Sequence, residues 1–162
     1  MNRRSSGWLM PFVSLLLTLS LAVIPLPASI SAFRPDWVAV VLLYWSLMAP
    51  RRFSLMTAFW MGIALDTLSG SLLGQHALAL LLIVYLAERF HLRLRVFPVS
   101  QLAFTVFVLL GLYQFLLFWI DGVAGRTVPL MERWAPPFTG TLAWLAISVL
   151  LGRGAREARS RI

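Results

Sequence analysis

What most constrains this chain is the length of its apolar runs, which are broken at intervals by short clusters of arginine rather than by scattered surface charge. A hydrocarbon core of about 30 Å is crossed by roughly 20 apolar residues in a helix, and the runs at 8–30 and 97–120 reach that length. Composition agrees, because 60% of the 162 residues are hydrophobic and 12% are charged, where a soluble domain carries about 25% charged residues. The pattern predicts an all-α integral membrane protein with lipid as its main solvent.

Six transmembrane helices are predicted in a single polytopic domain, at about 8–30, 36–50, 53–68, 72–87, 97–120 and 136–151. The first run follows Arg3 and Arg4 and ends in small residues, as a signal peptide does, but it exceeds the usual apolar core of about 7 to 15 residues. The second block is short. Pairing it with the third as a re-entrant hairpin would bury Arg51 and Arg52 near the midplane, at roughly 2.5–3.5 kcal/mol each. Two full crossings joined by a tight turn at Pro50-Arg51-Arg52 avoid that cost.

Six crossings place alternate connections on alternate sides, so the arginines report the orientation independently. Arg3, Arg4, Arg51, Arg52, Arg89, Arg93, Arg95, Arg153, Arg156, Arg159 and Arg161 fall on one side, against Arg34, Arg126 and Arg133 on the other. Both termini are therefore expected in the cytoplasm. Trp8, Trp37, Trp119 and Trp134 fall near expected interfaces, whereas Trp45, Trp60 and Trp144 lie deeper and read as packing residues.

The same layout narrows function. A net charge of +8 would suggest nucleic acid in a soluble protein, but these arginines edge apolar blocks and form no basic stripe, so anionic headgroups are their expected partners. The chain has no cysteine and two histidines, His76 and His91, without metal-ligand spacing, so no metal or other cofactor is expected. No phosphate loop, nucleophile elbow or paired carboxylate is present, and an enzyme is not expected.

Asp66 is the most informative residue, since a carboxylate at the outer end of the third span needs a partner. Arg34, Asp36, Asp66, Gln75 and His76 all map to the outer part of the membrane, and Asp66 is expected to pair with Arg34 or His76. Ala58, Gly62 and Asp66 recur every four residues, as do Ser14, Thr18 and Ala22; each set gives a helix a small face that another helix can approach closely. Gly70 and Gly74 follow in turn chemistry, and Gln114 stands alone on the fifth span as interhelical glue.

Arg34-Pro35-Asp36-Trp37, Pro50-Arg51-Arg52, and Gly62 with Asp66, Ser69, Gly70, Leu73, Gly74, His76, Ala77 and Leu78 together resemble the MreD family. The resemblance implies a non-enzymatic scaffold or regulator in the bacterial inner membrane, part of the rod-shape peptidoglycan elongation machinery. It implies MreC as a helix-packing partner, with RodA, a class B penicillin-binding protein and MreB linked through it. It also implies the fold of the substrate-binding subunits of energy-coupling-factor transporters. Arg34, Asp36, Asp66, Gly70, Gly74 and His76 are the positions that match the family's motif. The alternative is a vitamin-like small-molecule binding subunit of a membrane transporter, suggested by that fold relationship and by the long connection from Asp121 to Ala135.

The orientation is directly measurable. Green fluorescent protein fused to the carboxyl terminus is expected to fluoresce and alkaline phosphatase there to be inactive, with the reverse for fusions after Gly125.

Overall fold

The computed structural model of the chain describes residues 6–25, 27, 31–48, 55–94 and 97–160, with backbone alone at 6–10 and 150–160. Its helices are α1 (Ser6–Val23), α2 (Trp37–Met48), α3 (Leu55–Ser69), α4 (Gln75–Leu94), α5 (Val99–Val123), α6 (Leu130–Trp134) and α7 (Pro136–Ser160). Apart from the five-residue α6, each corresponds to one apolar block of the sequence. The turn expected at Pro50-Arg51-Arg52 lies outside the described residues.

Local chemistry sets the boundaries. Pro98 and Pro129 immediately precede α5 and α6, and Pro136 and Pro137 open α7, where a missing N–H is harmless and the fixed φ suits a first turn. The α3–α4 connection closes through Gly70 and Gly74 with φ of 63° and 96°, a left-handed conformation that side chains with a Cβ resist. Among the described residues, helix α5 alone is long and apolar enough to qualify as a membrane span by itself. Helix α2, at 12 residues, measures about 18 Å.

That short helix is the centre of the bundle. It packs against α1, α4, α5 and α7, while α3 lies along α4 and touches α1, and α5 packs on α7. Val38 to Tyr44 are buried without a break, so α2 is apolar on every side because every side meets protein. Leu80, Ile83 and Val84 of α4, Leu110 and Tyr113 of α5 and Trp144 of α7 complete the core.

Two glycines set helix separation. A Cβ on Gly62 would fall 2.2 Å from the Cα of Ala77, so the α3 and α4 backbones touch there. On α7, a Cβ on Gly140 would meet Leu110 at 2.9 Å and Val40 at 3.3 Å, holding that helix close to α5 and α2.

Large hydrophobic side chains are exposed on several helices, among them Phe12 and Leu17 of α1, Phe104 and Trp119 of α5 and Leu142 of α7; extensive apolar exposure of this kind marks a membrane or interaction surface. Trp60 corrects one expectation: it is 64% exposed and stacks edge-on against Phe59 rather than packing inside, whereas Trp144 is fully buried as expected.

Gly62→Ala is expected to lower thermal stability in detergent by about 1–3 kcal/mol, because backbone cannot yield to the new methyl as a side chain can. Gly111→Ala, where the added Cβ meets nothing within 4 Å, is expected to be neutral or mildly stabilising.

Candidate functional site

The connections that follow α1, α3 and α5 gather at one end of the bundle, and the buried Asp66, Gln75, Asp121 and Arg133 gather with them. Asp66 shows why they are needed. At the end of α3 its Oδ1 accepts from the Ser71 hydroxyl at 2.8 Å, the His76 amide at 2.9 Å and His76 Nδ1 at 2.7 Å, while Oδ2 accepts from the Gly74 amide at 2.8 Å. The carboxylate thus caps the start of α4, where unpaired amides and the helix dipole favour an anion. With His76 donating through Nδ1, its Nε2 forms the opposite edge of the ring. Among the alternatives for Asp66, the structure selects His76.

Arg34 is placed differently. Its Nη1 donates to the Ile24 carbonyl at 3.2 Å and its Nη2 to the Leu21 carbonyl, so it closes the carboxyl end of α1 instead of pairing with Asp66. A cation suits that position, since the last carbonyls of a helix are unsatisfied and carry partial negative charge.

Asp36, whose backbone carbonyl accepts the Val40 amide as α2 begins, takes a hydrogen bond from Gln114 Nε2 of α5 at 2.5 Å. Gln114 is therefore the interhelical contact its isolation on an apolar span suggests. Seven residues further along α5, about 10 Å nearer the end of the bundle, Asp121 accepts from Gln75 Nε2 of α4 at 2.8 Å and from Arg133 Nη2 of α6. Gln75, Asp121 and Arg133 are all buried.

Both small-residue faces are occupied within the chain. Ala58, Gly62 and Asp66 are buried, with Gly62 against Ala77 of α4. On α1, Ser14 Oγ accepts the indole N–H of Trp45 on α2 at 2.9 Å, Thr18 is buried with its hydroxyl returned to the Leu15 carbonyl, and Ala22 packs on the core. Trp37 is half-buried at the start of α2.

The sequence reading missed the Asp121–Arg133 pair and helix α6 that presents the arginine. The available signal was an acid closing the longest apolar run, followed by Pro129 at the foot of a short segment carrying both apolar and basic residues.

A bundle whose described residues expose large apolar side chains and bury Asp66, Asp121 and Arg133 at one end has the build of a helical membrane protein. Comparison with known proteins narrows the class. The sequence matches the family described as rod shape-determining protein MreD over residues 2–150, and the chain belongs to that family. It is 37% identical over 75 residues to the rod shape-determining protein MreD of Haemophilus influenzae, a match spanning 46% of this chain and 46% of that relative. No solved structure matches, so the likeness to energy-coupling-factor subunits rests on the sequence resemblance alone.

Asp66→Leu is expected to orphan the Gly74 and His76 amides and to lower stability in detergent by about 1–3 kcal/mol per donor. Asp121→Asn, which leaves Arg133 as an uncompensated buried cation, is expected to lose about 3–5 kcal/mol, with much of the loss recovered when Arg133→Gln is added. Thermal unfolding of the purified variants checks both.

Proposed function

We propose that this protein is a non-enzymatic scaffold of the rod-shape elongation machinery, set in the bacterial inner membrane with six crossings and both termini in the cytoplasm. The observation that carries the reading is the family match along nearly the whole chain. The geometry supports it in one respect: the acids at the polar end join helices to one another. Asp66 ties α3 to α4, Asp36 ties the start of α2 to α5, and Asp121 ties α4, α5 and α6. A bundle pinned in this way presents a fixed outer surface, which is what a scaffold needs for docking a partner's helix.

In this reading the polar end faces the periplasm and the arginine-rich connections face the cytoplasm. The partner is a single-span protein of the MreC type, through which RodA, a class B penicillin-binding protein and MreB are reached. Because the small-residue faces of α1 and α3 already meet helices of this chain, the partner docks on the exposed faces, where van der Waals packing and interhelical hydrogen bonds supply the affinity.

Depletion in the host is expected to give rounded, swelling cells, with wild-type gene expression restoring rods. Affinity capture of the intact chain in mild detergent is expected to bring down an MreC-type protein. Rod-shaped cells with a nutritional requirement, or capture of an ATPase module instead, would contradict the scaffold.

A further inference from the structure

At the polar end, Arg34, Asp36, Trp37, Ser69, His76 and Tyr113 line a cavity of about 200 Å³ that the helix joints described above do not fill. We propose that this cavity binds a cationic hydrogen-bond donor, an ammonium or guanidinium group that enters from the polar end. The proposal stands apart from the scaffold reading, because the ligand is defined by the cavity and not by the complex.

Three observations lead there. The first is Tyr113, which is 0% exposed and whose hydroxyl has no hydrogen-bond partner, although a buried hydroxyl ordinarily finds one. Its ring stands 6.3 Å from that of His76, whose Nδ1 is held by Asp66, so the hydroxyl and the far edge of the imidazole belong to the same space.

The second is the charge balance among the acids. Asp121 is in an ion pair with Arg133 and Asp66 is hydrogen-bonded by His76 Nδ1, whereas among the described residues Asp36 has no ion pair and is met by the neutral amide of Gln114. Arg34 lines the same cavity, yet its two terminal nitrogens are turned onto the carbonyls of Leu21 and Ile24. An acid inside the bundle whose direct contact is a neutral amide, with Arg34, His76 and Arg133 acting on it only through space, is the group an incoming cation would complete.

The third is size. At about 200 Å³ the space falls below the 300–1,000 Å³ of pockets that enclose whole drug-sized ligands. It suits a charged head on a short apolar stem, whose N–H groups can reach Asp36, Tyr113 and the His76 ring together. Such a head comes either from a free amine or from a lysine or arginine side chain of a partner segment lying over the polar end.

The test uses the intact chain in detergent and three probes, butylguanidinium, butylammonium and tetramethylammonium, the last with equal charge and no N–H. The first two are expected to raise the unfolding temperature saturably and the third to have no effect. Asp36→Asn keeps the acceptor for Gln114 and is expected to weaken the response about tenfold or more. Tyr113→Phe keeps the buried ring and is expected to weaken it several-fold. An undiminished response in Asp36→Asn, an equal response to tetramethylammonium, or no saturable response at all would overturn the proposal and leave the cavity to water. In cells, a photo-crosslinker at Ser69 that captures a basic segment of another protein assigns the cation to a partner. A small amine retained by the purified chain in mass spectrometry assigns it to a free ligand.

Discussion

A buried carboxylate has to be satisfied by protein, and much of this structure is arranged around how Asp66 meets that requirement. Four donors from one short connection and the start of α4 converge on its two oxygens. They can do so because Gly70 and Gly74 let the chain reverse in five residues, and because Gly62 lets α3 lie directly on Ala77. The acid, the turn and the backbone contact are one device. It holds the two helices at a separation that no water-driven hydrophobic gain could set, since lipid is as apolar as the helices themselves.

The same constraint explains why the central helix is short. Asp36 marks the start of α2 and meets Gln114 about 10 Å further into the bundle than the level of Asp121. Helix α2 therefore begins inside the molecule, beneath a polar lining supplied by Arg34 of the preceding connection, Ser69 of α3, His76 of α4 and Tyr113 of α5. Below that point it is wrapped by apolar neighbours. Charged side chains are buried at one end and the packing elsewhere is mainly apolar, with hydroxyls such as those of Ser14, Thr18 and Ser46 the exceptions.

Much of this was legible in the sequence, for reasons particular residues make plain. The six apolar blocks, the four-residue spacing of Ala58, Gly62 and Asp66, and the need of Asp66 for a partner all follow from what lipid does to polar groups and backbones. What could not be read was direction. With core and lipid equally apolar, α3 shows no contrast to reveal that Trp60 faces outward. Long-range pairs were hidden as well: Asp36 and Gln114 are 78 residues apart, and Arg133 was counted as a topology charge while it in fact sits buried against Asp121.

Asp66 keeps the α3–α4 corner closed by holding the Gly74 and His76 amides. Amide hydrogen exchange resolved by residue in lipid nanodiscs tests this most directly. The account predicts that the Gly74 and His76 amides exchange as slowly as those in the middle of α4. Exchange as fast as that of the exposed turn at Gly125 would contradict it.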